Sequence, residues 1–294
     1  MYAATLPSDK SSNAQNDPTP LTGMRGRAEL GFAHDTDQTR LKHLYHASPF
    51  RVLFPTLPKD ELTSAVLVTT SGGLVGGDRL DVDVRVRQNA HAHVMGQAAE
   101  KVYRSTGPDT HFNANLNVEG GGYLEWLPQE TIVFDQARLR RTTRVDVASN
   151  ATFSGAEMLV FGRIAMGETI RTGLIRDVWD VRREGRQIWA DALHLDGDIQ
   201  AKLNHPAGFD GATAVATFVH IAPDAADRLD LAREILGEGS DRVRSGATVI
   251  NGVLLARWLA FDARAMRESF GHFWAAFRAH TQNLPERMPR LWHV

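Results

Sequence analysis

Apolar and polar residues alternate along most of the chain. From about Gly26 to Ile221 the dominant period is two. The stretch LDVDVRVR (Leu80–Arg87) puts Leu80, Val82, Val84 and Val86 on one face and Asp81, Asp83, Arg85 and Arg87 on the other. That alternation predicts a half-buried antiparallel strand. NANLNVEG (Asn113–Gly120) repeats it, with Ala114, Leu116 and Val118 inward. Further strands are predicted at Ala28–Phe32, Ala65–Thr70, His91–Met95, Tyr123–Trp126, Arg144–Ala148, Ala156–Phe161, Leu174–Arg183, Arg186–Leu195 and Thr213–Ile221. Turn signals part them: GGG at Gly120–Gly122, and glycines at 185 and 197 between polar neighbours. Strands this dense, with no helices between them, argue for antiparallel sheets rather than a βαβ fold.

The period changes to that of a helix in two late stretches. Asp224–Leu236 follows a proline and stops at Gly237. Asp262–His280 begins on a capping aspartate and carries a stripe of Met266, Phe270, Phe273, Trp274 and Phe277. The stripe reads as core or partner interface, and in the second case the isolated chain would tend to aggregate. The first 22 residues are polar and rich in Ser, Asn and Pro, and read as a disordered tail. Residues 23–294 show no repeat and no low-complexity linker, which favours one compact domain.

Composition narrows the chemistry by exclusion. The 294 residues contain no cysteine, so disulfides, thiolate metal sites and cysteine nucleophiles are ruled out. The formal net charge is -2 and the arginines are scattered, which argues against a nucleic-acid partner. No uncharged apolar run reaches the roughly 18 residues of a membrane span. With no apolar signal at the N-terminus, the cytoplasm is the expected location.

The glycine-rich stretch TSGGLVGGD (Thr70–Asp78) invites a phosphate-loop reading, and its details refuse it. Asp78 stands where the lysine of a P-loop belongs, and position 74 is Leu where the dinucleotide fingerprint needs glycine. Both motifs also feed a helix, whose N-terminal amides bind the anion. This loop feeds the strand Leu80–Arg87, so no bound nucleotide is expected. What remains is a bulged turn, or a place where a partner or ion approaches the backbone with Asp78 on offer.

Other candidate chemistry is sparse. His91 and His93 share a strand face with Met95, a weak soft-metal pattern that solvent-facing histidines on an edge would also give. QAAEKVYRS (Gln97–Ser105) carries Glu100, LPQETIVFD (Leu127–Asp135) carries Glu130 and Asp135, and FGRIAMGET (Phe161–Thr169) carries Arg163 and Glu168. Singly these are surface ion pairs; together they are carboxylates in or beside loops, suited to lining a polar passage for a hard or borderline cation. No G-x-S-x-G or H-E-x-x-H occurs and no spacing selects a triad, so no catalytic residue is assigned. A hydrolase using Glu130 and Asp135 as a carboxylate pair is a remote alternative.

Read in order, TSGGLVGGD, QAAEKVYRS, LPQETIVFDQARL, FGRIAMGE and the hairpin Trp179–Arg186 resemble the urease accessory protein UreD (UreH) family, from about Gly26 to Phe277. The resemblance implies a mainly β fold, with stacked antiparallel or mixed sheets in a solenoid-like arrangement and two helices in the C-terminal third. It implies a non-enzymatic maturation factor that joins UreF and the GTPase UreG on apo-urease. It also implies help in delivering Ni(II) through an internal passage to a dinuclear site with a carbamylated lysine. Nickel would be transient rather than tightly bound, and GTP would belong to the partner. By this resemblance Asp78, Glu100, Glu130, Asp135 and Glu168 lie near the passage or a partner face, with His93 and Met95 as further nickel contacts. A scaffold that joins urease to the other accessory proteins without touching metal is the alternative.

Overall fold

The computed structural model describes residues 23–293, so the tail read over 1–22 lies outside the described residues. The chain begins with a hairpin, β1 (Arg25–Asp35) and β2 (Gln38–Ala47), and a short strand β3 (Phe50–Leu53). It then winds. Four successive coils start at β4 (Thr63–Thr69), β6 (His91–Gly96), β9 (Tyr123–Leu127) and β12 (Thr152–Phe161). Each coil crosses over to a facing strand: β5 (Arg79–Val86), β8 (Thr110–Val118), β11 (Arg138–Val147) and β13 (Thr172–Arg183). In the second and third coils the crossover carries a short strand of its own, β7 (Glu100–Val102) and β10 (Thr131–Val133).

The winding makes two facing sheets. One has the order β14-β13-β11-β8-β5-β1-β2, where β14 (Arg186–Asp198) closes a hairpin with β13. The other runs β16-β17-β15-β12-β9-β6-β4-β3, through β15 (Ala214–Ile221), β16 (Val243–Ile250) and β17 (Val253–Ala260). Stacked coils force parallel pairing, and β5 is parallel to both β1 and β8. The antiparallel reading of Leu80–Arg87 is thereby corrected: alternation reports which face is buried, and carries no information about neighbour direction. The burial itself is as read, since Leu80, Val82, Val84, Val86, Ala114, Leu116 and Val118 are all in the core. Among the described residues the antiparallel strand pairs lie at the flanks, among them β1–β2, β3–β4, β13–β14 and β12–β15, and an isolated antiparallel bridge joins Arg104 to Ala137. Hydrogen-bonding at both ends of the solenoid is thus continued by antiparallel strands.

Of the three α-helices among the described residues, α1 (Ile199–Leu203) is a single turn, and α2 (Leu229–Leu236) follows a 3-10 turn at Ala225–Arg228. Helix α3 (Ala263–Gln282) is capped by Asp262, whose carboxylate accepts the Ala265 N–H at 2.9 Å. Its aromatic stripe is core. Phe270, Phe273, Trp274 and Phe277 are buried, and Phe218 of β15 meets Phe273, Trp274 and Phe277 edge-on with centroids 5.1–5.6 Å apart. The alternative of an exposed, aggregation-prone face is overturned. No helix among the described residues is long and apolar enough to cross a membrane.

Candidate functional site

The solenoid explains why the separate loop motifs belong together. TSGGLVGGD is the crossover of the first coil, Gln97–Ser105 lies in that of the second, Pro128–Asp135 in that of the third and Gly162–Thr169 in that of the fourth. They stack as one rim. Leu74 N–H donates to Lys101 O at 2.7 Å, Phe134 N–H to Val102 O at 3.0 Å, and Gly162 N–H to Val133 O at 2.8 Å. A side-chain ladder runs along the same edge: Tyr103 Oη donates to Gly72 O, Tyr103 meets Phe134 edge-on at 4.8 Å, and Arg163 lies 4.4 Å over the Phe134 ring. Close stacking also dictates glycine at Gly73, where a Cβ would stand 2.4 Å from Tyr103 and 2.9 Å from Lys101 O.

Beneath the rim lies a cavity of about 230 Å³ between the two sheets. Exposed Gly72, Gln97 and Ala98 border its open side, with Glu100 beside them. Phe50, Leu67, Phe112, Trp126 and Leu139 form apolar walls. Arg141 and Glu157 close the inner end, and both are 4% exposed. The Arg141 guanidinium contacts Glu157 Oε2 at 2.6 Å and Asp177 Oδ2 at 2.7 Å, and donates to Thr131 Oγ1 at 3.0 Å. Thr143 Oγ1 donates to Glu157 Oε1 at 2.9 Å. Burial pushes the Glu157 carboxyl up to about 7 against the pull of Arg141. Burial would lower the Arg141 guanidinium, but Asp177 and Glu157 outweigh it and keep it charged. At the mouth, burial first and then the nearby Asp78 charge raise the Glu100 carboxyl.

The seven sequence-selected residues separate into different surroundings. Asp78 is buried and works on backbone: its two oxygens accept the Met24 and Val75 N–H groups, each at 2.8 Å. Glu100 alone borders the cavity. Glu130 pairs with Arg267 of α3, whose guanidinium also stacks 4.1 Å over Trp292. Asp135 accepts the Arg171 and Thr172 N–H groups and pairs with the Arg171 side chain at 2.7 Å. Glu168 pairs with Arg163 at 2.7 Å. Glu130 and Asp135 therefore turn to different arginines. His93 and Met95 are buried on the face toward α3, away from the rim, while His91 is exposed. No group of three or more His, Asp or Glu among the described residues forms a metal-holding cluster.

Two buried polar networks escaped the sequence reading. One is Arg141–Glu157–Asp177. The other sits under α3: His93 Nδ1 lies 2.7 Å from Glu125 Oε2, and Arg278 donates to both Glu125 oxygens at 2.9 and 3.1 Å and to Glu61 at 3.1 Å. Burial works to raise the Glu125 carboxyl, but His93 and Arg278 outweigh it and hold it down at about 2. Ser154 Oγ and His220 Nδ1, 2.9 Å apart, belong to the same face. Burial lowers His220 to about 4, so its ring is neutral. The signal for both networks was a charge at an inward position. Glu125 interrupts YLEWL, Glu157 interrupts GAEMLVF, and Arg141 shares the parity of Leu139, Thr143 and Val145.

The family model for the UreD urease accessory protein matches residues 24–293. A protein of Magnetococcus marinus named urease accessory protein UreD is 47% identical over 295 residues, covering 99% of each chain. One of the same name from Azorhizobium caulinodans is 40% identical, over 91% of this chain and 95% of its own. Another, from a Methylobacterium, is 41% identical over 94% and 99%.

Proposed function

The chain belongs to the UreD family of urease accessory proteins, and from that premise we propose that it is a nickel-insertion factor for urease, with the cavity under the rim as part of the metal's path. The observation that carries this reading is the stacking of the motif loops around the mouth of a cavity bordered by carboxylates at both ends. Glu100 offers the entering cation a carboxylate, and Phe50, Leu67, Phe112 and Leu139 along the walls offer it no ligand. An oxygen-donor path without thiolate or clustered imidazole suits a cation that must leave again. Neither phosphate motif is present, so the GTP-dependent step falls to a partner, UreG, with UreF as the third accessory component on apo-urease. The protein works by assembly and transfer, not turnover, in the compartment that holds these partners, the cytoplasm.

A scaffold without metal contact is the second reading, favoured by one observation. Asp78, Glu130, Asp135 and Glu168 are each engaged by backbone amides or an arginine. On that reading they shape the rim for a protein partner. The test is nickel bound to urease purified from cells carrying the urease operon, with this gene deleted and then restored. The expected result is nickel-poor urease in the deletion and loaded urease on restoration; loaded urease in the deletion would end the reading.

A further inference from the structure

Glu157 and Arg141 close the inner end of the cavity, and Asp177, which does not border it, holds the guanidinium from its other side. Asp177 of β13 lies in register beside Arg141 of β11, whereas Glu157 of β12 reaches across from the opposite sheet. Arg141 uses its whole fork: Nε and Nη2 on Asp177, and Nη1 on Glu157 and Thr131. The guanidinium therefore fills, with a tethered cation, the place where two oppositely mounted carboxylates converge. Withdrawn, it would leave two carboxylates and the hydroxyls of Thr131 and Thr143, an all-oxygen donor set for a divalent cation. While it stays, a second cation is excluded, because like charges repel strongly where the surroundings are apolar and water is scarce.

We propose that Arg141 is a gate: Glu157 and Asp177 form a latent divalent-cation site that Arg141 occupies at rest and must vacate for metal to pass the inner end of the cavity. This inference rests on the metal-path reading and adds its control point. It also explains a costly arrangement. A buried ion triad is seldom more stable than apolar side chains of the same size, so stability alone gives no reason to keep one.

The test uses tag-free full chain and titrates NiCl2 calorimetrically into wild type, Arg141→Gln and Arg141→Gln/Glu157→Gln, with circular dichroism checking that each is folded. Arg141→Gln should bind one nickel ion more per chain than wild type, and the added Glu157→Gln should abolish the extra ion. Exposed histidines give a background common to all three, which the comparison removes. A folded Arg141→Gln chain with wild-type stoichiometry would overturn the gate. Should Arg141→Gln fail to fold, Arg141→Lys replaces it. Its ammonium engages the two carboxylates less completely, so it should still bind more nickel than wild type, and an unchanged isotherm would overturn the gate equally. In cells, a deletion that leaves urease loaded with nickel sinks the functional reading without touching the titration. An unchanged titration beside normal restoration sinks the gate alone.

Discussion

Replacing Arg278 by methionine tests the network under α3 most sharply. Its side chain is 3% exposed and holds Glu125, itself fully buried, through two hydrogen bonds, and Glu61 through a third. Methionine keeps much of the packing volume but strips Glu125 of the guanidinium, leaving it only His93 and Tyr123 as partners. Breaking a buried pair in this way costs about 3–5 kcal/mol, because the carboxylate left behind is desolvated. The proton linkage gives an independent magnitude. Glu125 is held at about 2 in the folded chain against an ordinary 4.5. A depressed carboxylate contributes stability that is complete above 4.5 and is lost as pH falls toward 2. The difference corresponds to about 3 kcal/mol, which His93 and Arg278 share, so the part that Arg278 supplies is smaller. Urea unfolding followed by circular dichroism from pH 7 downward would measure both. The cost of Arg278→Met should be largest at neutral pH and shrink below pH 4.5 as wild type loses its advantage. A cost under about 1 kcal/mol, or one constant across that range, would refute the network's assigned strength.

Two further outcomes follow from buried groups. His220 is depressed from 6.5 to about 4, so it contributes stability above pH 6.5 that is lost as pH falls toward 4, about 3 kcal/mol in all. His220→Leu should flatten that limb relative to wild type in the same unfolding series, and an unchanged limb would clear His220 of the effect. Asp78→Ala should cost about 2–4 kcal/mol by orphaning the Met24 and Val75 amides. Hydrogen exchange should then accelerate at those two amides first, and unchanged protection there would contradict the structural role.

How far the sequence carries depends on what each pattern encodes. Alternation located nearly every long strand of the central coils, because a strand with one buried face must alternate whatever its partner does. Strand direction stayed hidden, since Leu80–Arg87 reads alike with parallel or antiparallel neighbours. Short rim strands such as Glu100–Val102 were illegible: three residues carry no period. Of the site, the loop motifs were visible as residues, and their stacking was not, because it depends on equivalent corners of different coils meeting in space. Asp78 was singled out as a passage or partner residue, and its two backbone contacts give it a structural task. Arg141, Glu125 and Glu157 were passed over because a charge inside an apolar strand looks like noise until its partner from another strand is known.

The metal path itself is tested most directly by plugging the cavity without disturbing its walls. Ala98 is exposed at the open side, so Ala98→Trp places a large ring at the mouth and leaves the core alone. The measurement is nickel per urease active site, counted on urease purified from the deletion strain restored with wild type or Ala98→Trp, with assembly of the accessory complex checked in each. A path through the cavity predicts a normally assembled complex and nickel-poor urease in the Ala98→Trp strain. Fully loaded urease from that strain would contradict it.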